Sequence, residues 1–298
     1  MADAPAGAIY DVGYQRYEGT RLGRRHATWA LYIHSLRGVF GIGRSLSSKV
    51  GPIGLGVIAF LPAIVRLGIS AIFPEEVAPE EIGLFRPEGY YFVIWIVLVI
   101  FCAVVAPELV GRDQRTNTLS LYFSRALRRQ DYALAKFAAL TTGMLAITAV
   151  PQIMMFAGNG LAANNFFDYL QDKWADLPAI IGSAILLSCL IASISLVIAA
   201  QTPRRAYSTV GILAAFLLTS TIAASVFGAD ENSGRFVLLL SPFQVAQGFT
   251  LWFFDAAADA GILFAEANFN GVVYAIAAVL VTLLMLALLI RRYEKISP

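Results

Sequence analysis

Six long apolar runs dominate this chain and constrain its fold more than any other feature. Each contains between 19 and 25 residues, and they cover Ile53–Phe73, Tyr90–Val110, Tyr132–Phe156, Leu177–Ala200, Ala206–Phe227 and Val272–Ile290. A bilayer core about 30 Å thick needs about 20 helical residues at 1.5 Å each, so every run is long enough to cross it. Because lipid offers the backbone no hydrogen-bond partner, each run should be a helix. The sequence therefore predicts an all-α membrane protein with six transmembrane helices.

The charged residues are few, and their sign alternates between the gaps that separate the runs. Only 14% of the residues are charged, against about 25% in a typical soluble domain. Most of the 22 Lys and Arg residues lie before the first run, within 112–136, at 204–205 or within 291–295. The positive-inside rule makes these segments cytoplasmic, so both termini are expected inside. An even number of spans requires the same parity, and we expect a multi-pass protein of the plasma membrane.

Residues 1–50 are predicted to form a cytoplasmic arm followed by an amphipathic helix. No apolar signal-peptide region is visible in residues 1–20. An apolar stripe with helical spacing follows, at Trp29, Ile33, Leu36 and Phe40. Its basic opposite side and aromatic edge favour a helix that lies in the cytoplasmic interface, and a solvated helix packed against another subunit is the alternative. Gly51-Pro52 is expected to end this helix, which assigns 51–298 to the six-helix transmembrane domain.

Two patterns that suggest enzyme sites have simpler explanations. Gly38–Ser45 nearly matches the phosphate-binding loop G-x-x-x-x-G-K-[ST], but Arg44 replaces the lysine and no strand is predicted before it. The Glu75-Glu76 pair lies in a proline-rich outer loop, whereas the two histidines, His26 and His34, lie on the other side of the membrane. No metal-ligand cluster follows from this arrangement. We expect no catalytic residue, metal or cofactor on this chain, which should not be an enzyme by itself.

Arg66 lies within the first apolar run. An intramembrane charge is by default a functional-site hypothesis. Arg66 is also only seven residues, or about 10 Å, from the outer end of the run, so snorkelling to the surface explains it equally well. Both interpretations stay open at this point.

The last outer segment, Gly228–Gly271, is long and unusually apolar. Three apolar stretches lie within it, at Phe236–Leu240, Phe243–Ala246 and Phe249–Phe254. A structureless loop of this length is uncommon. The pattern predicts two short helices that re-enter the membrane before the sixth span and separate near Gly248, with protein or water covering the irregular backbone.

The cytoplasmic stretch between the second and third spans contains a short amphipathic piece with a basic rim. It leaves the second span through Pro107-Glu108, turns at Thr116–Thr118 and continues as the apolar-edged Leu119–Phe123 before Arg125, Arg128 and Arg129. A short helix of this kind can dock into a groove of a partner protein. An ordinary inner loop that obeys the positive-inside rule is the alternative.

This stretch resembles the inner loop of ABC-2 type transporter permeases. Those proteins carry an acidic residue at the end of span two, an Arg–Asp pair, a Gly-Thr-like turn, a Ser-Arg-Pro-like element and a lysine that enters span three. The corresponding residues here are Glu108, Arg112-Asp113, Asn117-Thr118, Ser124-Arg125-Ala126 and Lys136. Asn117 replaces the usual glycine and Ala126 the usual proline. The six-span layout, the N-terminal amphipathic helix and the apolar outer segment extend the resemblance over most of the chain.

The resemblance implies the permease subunit of an ATP-binding cassette exporter. Two permease subunits, identical or homologous, would form the path, and separate cytoplasmic ATPase subunits would bind ATP and Mg. The expected partners are these subunits and membrane lipid, with no nucleic acid. The coupling residues implied are Glu108, Arg112, Arg115, Asn117, Thr118, Ser124, Arg125, Arg128 and Arg129. Reversing the charge of Arg125 or Arg128 should then disrupt ATPase docking.

Two other functions remain as alternatives. An ion-coupled secondary transporter needs polar or ionisable groups near the membrane midplane, and the runs offer only Arg66 and a few Ser, Thr and Asn residues. A membrane scaffold or enzyme without transport would keep its function in a cell that lacks any partner ATPase.

Overall fold

The computed structural model describes Gly19 and residues 22–72, 86–124, 127–163, 165–256 and 263–295. These residues form helices and connecting turns, and they contain no strand. Thirteen α-helices follow one another along the described chain: α1 Gly23–Val39, α2 Leu46–Ile72, α3 Tyr90–Ala106, α4 Arg112–Arg115, α5 Leu119–Phe123, α6 Arg129–Ala162, α7 Phe166–Lys173, α8 Asp176–Gln201, α9 Arg205–Ala229, α10 Glu231–Leu238, α11 Pro242–Phe253, α12 Leu263–Glu266 and α13 Gly271–Glu294. A π-helical turn, Pro107–Gly111, joins α3 to α4.

Six of these helical segments are long and apolar enough to cross a membrane, which confirms the predicted all-α, multi-pass architecture. They are α2, the continuous segment from α3 to α4, α6, α8, α9 and α13. More than half of the apolar windows of the segment α3–α4, α6 and α8 are buried inside the bundle, whereas only about a quarter of the windows of α2, α9 and α13 are buried. The first three therefore form the core, and the other three present broad apolar surfaces to lipid or to another protein.

The segments run alternately up and down, so all the basic connections meet at one end of the bundle. Gln114 donates to the carbonyl of Ala200 at 3.2 Å, and Arg129 donates to the carbonyl of Glu294 at 2.6 Å. We call this end, which contains residues 108–124, 127–131, 200–205 and 291–294, the basic end. Its composition agrees with the charge alternation in the sequence.

The break between α1 and α2 lies at residues 40–45, so the prediction that Gly51-Pro52 ends the first helix was wrong. Gly41 and Gly43 both have left-handed backbones, with φ of 68° and 83°. Side chains other than glycine rarely adopt such angles, whereas Pro52 lies inside α2. The stretch that resembles a phosphate-binding loop is thus a turn between two helices, and a helix, not a strand, precedes it.

α1 packs along α6 through a face that only partly coincides with the predicted stripe, since Phe40 of the stripe also packs against the core. It buries Leu31, Ser35 and Val39, whereas Trp29 from the stripe is 61% exposed. The Tyr32 hydroxyl donates to Thr142 of α6 at 3.1 Å. The helical spacing predicted the helix correctly, but which face meets the bundle depends on α6.

The outer segment before α13 folds into helices, but they do not separate near Gly248. The turn between α10 and α11 lies at 239–241, and Gly248 is inside α11. A Cβ on Gly248 would collide with the ring of Tyr274, so this glycine allows α13 to approach α11 closely. α11 is buried over Gln244–Leu251, which gives the apolar sequence there a place in the core.

Candidate coupling surface at the basic end

Glu108 is the centre of an ion-pair cluster at the end of α3. Its carboxylate lies 3.3 Å from Arg205 and 3.4 Å from Arg115, with Arg44 at 3.8 Å. Burial, followed by repulsion from Arg112, lowers the pKa of Arg44, and the charges of Glu108 and Asp113 oppose this shift. Because these arginines come from the α1–α2 turn, α4 and α9, the cluster connects four parts of the chain.

Glu108 thus pairs with basic residues, but Arg112, four residues after it, is not among those within 4 Å. That spacing of four residues favours an ion pair in a regular α-helix. Here the intervening turn is π-helical, a feature that often marks functional sites, and arginines from distant elements approach the carboxylate instead. Arg112 itself is exposed.

A second, buried ion pair fastens α4 to α6. The Nζ of Lys136 lies 2.8 Å from Oδ2 of Asp113 and donates to the carbonyl of Leu109 at 2.9 Å. The hydroxyl of Tyr132 donates to the same Asp113 oxygen at 2.8 Å. Lys136 is only 3% exposed. A buried charge is tolerated when paired and hydrogen-bonded in this way.

The short helix α5 docks on this network through aromatic rings. Tyr122 and Phe123 lie with ring centroids 5.8 and 5.9 Å from Tyr132, and Tyr132 lies 4.9 Å from Tyr293 of α13. The guanidinium of Arg129 sits 5.6 Å from the centre of the Phe123 ring. α5 is thus a five-residue helix held against α6 by one of its faces, and Tyr132 of α6 packs in turn against α13.

The other face of α5 is exposed. Leu121 is 66% exposed, and Ser120 and Ser124 are exposed on either side of it. A groove of about 390 Å³ lies beside α5, lined by Phe123, Leu127, Arg128, Arg129, Gln130 and Glu294. The exposed Leu121 and the basic residues Arg128 and Arg129 of the groove thus lie on the same part of the basic end.

The start of α6 is held by a bidentate ion pair with α1. Arg24 donates through Nε and Nη2 to the two oxygens of Asp131, both at 2.6 Å. Asp131 also accepts the backbone N–H of Arg128 at 3.1 Å, which caps the helix. The hydrogen bond with Asp131 raises the pKa of Arg24.

The structure brings most of the predicted site residues to the basic end. Asn117 has a left-handed φ of 52°, which asparagine tolerates where the resembled family carries glycine, and Thr118 precedes α5 and donates to the carbonyl of Asp113 at 3.2 Å. Ser124 is exposed and Arg128 flanks the groove. Arg125 and Ala126 lie outside the described residues.

Arg66 lies at the opposite end, apart from all the other predicted residues. Its side chain is buried, with 4% of the residue exposed, and it lines a cavity with residues of α6, α7 and α8. The cavity also contains residues of the connections at this end, Arg86 and Glu88 among them, so both interpretations of Arg66 stay predictions.

Several residues that build the basic end are only weakly indicated by the sequence. Arg44 and Arg205 reach Glu108 only because the α1–α2 turn and the start of α9 fold beside α3. The pair of Asp113 and Lys136 was better indicated, since an acid and a lysine near the ends of two consecutive spans are expected to form an ion pair. Within the described residues, no group of three or more His, Cys, Asp or Glu side chains is arranged to hold a metal ion.

No protein-family model matches this chain, and no curated protein matches it. The geometry of the basic end and the residue pattern must therefore support the functional interpretation by themselves.

Proposed function

We propose that this chain is the permease subunit of an ATP-binding cassette exporter of the ABC-2 type. The observation that carries the proposal is the arrangement of α5, which is fixed to the bundle through Tyr122 and Phe123 but offers Leu121 to the outside. α5 lies between the second and third spans, where the resembled permeases carry their coupling helix. In this proposal the basic end faces the cytoplasm of a cell whose plasma membrane holds the chain.

The packing of α5 supports a role in transmitting motion. A helix that contacts only solvent could move without affecting the spans, but α5 touches Tyr132 of α6, and Tyr132 touches Tyr293 of α13. A push on α5 therefore reaches two spans through packed rings. Such rigid-body coupling is one of the standard ways in which proteins switch between states.

The proposed assembly contains two permease subunits and two ATPase subunits. The exposed apolar faces of α2 and α9 are available to a second permease subunit or to lipid. ATP and Mg would bind to the ATPase, and its closure would move α5. We further propose that α1 lies in the cytoplasmic interface and that α11 is the helix that re-enters the membrane from the outer side.

The distribution of charge gives less support to an ion-coupled transporter. Such proteins hold polar and ionisable groups near the midplane. In the described spans the charged side chains lie towards the ends, with Arg66 in the last turn of the span Ser48–Ile69 and Lys136 within the first eight residues of α6.

The proposal predicts that a reading frame beside that of this chain encodes an ATPase with an intact G-x-x-x-x-G-K-[ST] motif, and this ATPase is used in the test. We expect the two proteins to co-purify after co-expression, and we expect Leu121→Asp and Arg128→Glu each to reduce the recovered ATPase at least tenfold. Leu240→Asp is the matched control, because Leu240 is equally exposed, at 71%, but lies at the opposite end of the bundle. Unchanged co-purification with both α5 variants, or ATP hydrolysis by this chain alone, would contradict the proposal.

A further inference from the structure

Positive charge is in excess around Glu108 at the basic end. Arg44, Arg115 and Arg205 lie within 4 Å of its carboxylate, and Arg112 is close enough to Arg44 to repel it. We call these four residues the arginine cluster. The other acid nearby, Asp113, is already paired with Lys136. Four guanidinium charges thus share one carboxylate, and such an excess attracts anions.

The arginines of the cluster contact different oxygens of Glu108. Oε1 lies 3.3 Å from Arg205 and 3.4 Å from Arg115, whereas Oε2 lies 3.8 Å from Arg44. All three side chains are partly exposed, by 21% at Arg44, 36% at Arg115 and 54% at Arg205. Because a guanidinium has five N–H donors, each keeps donors for a further acceptor. One anion placed over Glu108 would face its carboxylate, whereas two anionic groups, one on each side, would face arginines.

The arginine cluster lies at the level of the lipid headgroups. Arg44 comes four residues before the span Ser48–Ile69, and Arg205 begins the span Arg205–Ala229. Tyr207, which is 63% exposed, follows at once, and tyrosine is common at the interface between lipid and water. The anionic groups that reach this level of a bilayer are the phosphates of lipids.

Two helices flank α3 just inside the membrane from the cluster. On one side, the hydroxyl of Thr209 in α9 donates to the carbonyl of Ala103 at 2.8 Å. On the other side, a Cβ on Gly51 of α2 would lie 3.4 Å from a methyl group of Val104. Val104 precedes Glu108 by four residues, so α2, α3 and α9 lie side by side directly below the arginine cluster.

An apolar surface extends from the cluster along these three helices. α3 contributes Val97, Ile100 and Val104, which share one face by their helical spacing and are half-buried. Ile58 of α2 is 47% exposed and Leu217 of α9 is 53% exposed. Each lies about two turns along its helix from the residue that contacts α3, on the same side. Phosphate-binding donors are thus continuous with a surface that suits acyl chains.

We propose that the arginine cluster and this apolar surface bind a phospholipid with two phosphodiester groups, of the cardiolipin type. One phosphate contacts Arg44 and Arg112, and the other contacts Arg115 and Arg205, with Glu108 between them. Arginine presents a planar set of donors that matches phosphate, and basic sites between spans are known to suit this headgroup. The inference does not rest on the proposed export function. It requires only that the six spans cross a bilayer.

A second copy of the chain is the other candidate for this surface. Dimers of identical chains usually have two-fold symmetry, so the same patch lies on both sides of the interface. A copy packed on this face would bring a second arginine cluster towards the first, and like charges that meet at an interface are unfavourable. The charge therefore favours lipid at this end of the surface.

Native mass spectrometry of the full purified chain tests the site. The chain is released from detergent micelles that contain cardiolipin and phosphatidylglycerol with equal amounts of phosphate. We expect one retained cardiolipin and about fivefold less phosphatidylglycerol, because a single phosphate reaches the arginines on only one side of Glu108. Equal retention of the two lipids would overturn the proposal. So would a dimer that retains no cardiolipin, since a second copy would then cover the surface.

Four variants locate the effect. Arg44→Gln and Arg205→Gln should each reduce the retained cardiolipin about fivefold, as expected for one basic residue beside an anionic lipid, and the more exposed Arg205 serves if Arg44→Gln impairs folding. Glu108→Gln should instead increase it about twofold, because the phosphates no longer face a carboxylate. A role of the cluster in folding alone would not produce these opposite effects. Arg291→Gln is the matched control, since Arg291 is exposed at the same end but lies outside the cluster.

The control should retain cardiolipin as the original chain does. Unchanged retention in Arg205→Gln would overturn the proposal, as would reduced retention in Glu108→Gln or in Arg291→Gln.

Discussion

Replacing Lys136 by methionine should destabilise the protein strongly, because the carboxylate of Asp113 then loses its ion-pair partner. Lys136 and Asp113 lie 2.8 Å apart, and their side chains are 4% and 15% exposed. Removing one member of a buried ion pair typically costs about 3–5 kcal/mol, since the remaining charge loses its partner. Asp113 keeps the hydrogen bond from the Tyr132 hydroxyl and some solvent contact. We therefore expect a loss of stability at the lower end of this range, about 3 kcal/mol.

The second replacement, Asp113→Asn, should reverse most of that loss. The amide of asparagine still accepts the hydrogen bond from Tyr132, and it carries no charge that needs a partner. The double variant should therefore be only about 1 kcal/mol less stable than the original chain, as expected for lost hydrogen bonds. The second replacement should therefore recover about 2 kcal/mol, which has the sign expected for two residues in one network.

The free energy of unfolding is measured by sodium dodecyl sulfate titration in mixed micelles, followed by far-ultraviolet circular dichroism. Lys295→Met is the control, because Lys295 is exposed at the end of α13 and its loss should change stability by less than about 0.5 kcal/mol. A loss below about 1 kcal/mol for Lys136→Met would refute the reasoning. So would a double variant as unstable as the single one.

Three further changes test other parts of the structure by the same titration. Glu108→Gln should lower the free energy of unfolding by about 1 kcal/mol, since it leaves three arginines facing one another without the carboxylate. Salt at about 0.5 M should reduce this loss, because the groups are partly exposed. A loss that does not depend on salt would contradict this reasoning. Gly248→Val should cost about 1–3 kcal/mol by overpacking against α13, whereas Gly54→Val, with open space around it, should cost less. Gly41→Ala should lower the free energy of unfolding more than Gly43→Ala. Both glycines have left-handed backbones, but only at Gly41 would a Cβ lie 2.7 Å from a backbone oxygen. Equal losses for the two variants would show that this clash is relieved.

Local sequence signals were enough to predict the spans. The length and hydropathy of runs such as Leu177–Ala200 depend only on neighbouring residues, and α8 covers that run almost residue for residue. Asn117 was also predictable, since a left-handed backbone at that turn needs glycine or asparagine. These features require no knowledge of what packs against them.

Features that depend on tertiary contacts were not predictable in this way. The partners of Glu108 come from α9 and from the α1–α2 turn, which are separated from it along the chain. The position of Gly248 inside α11 depends on the approach of Tyr274 from α13, and a glycine in an apolar stretch equally indicates a break. The inward direction of Arg66 likewise depends on the cavity that other helices form.

Cross-linking from α5 tests the proposed docking of an ATPase most directly. Cys102 and Cys189 are first replaced by alanine, and single cysteines are then introduced at Ser124, exposed after α5, or at Ser225, exposed on α9 towards the opposite end. The variants are treated with a thiol-to-amine cross-linker in native membranes that also contain the co-expressed ATPase. We expect a permease–ATPase product from Ser124→Cys, and its yield should change when ATP is added. We expect no product from Ser225→Cys. A product from Ser225→Cys alone would contradict the account, as would none from Ser124→Cys while the two proteins still co-purify.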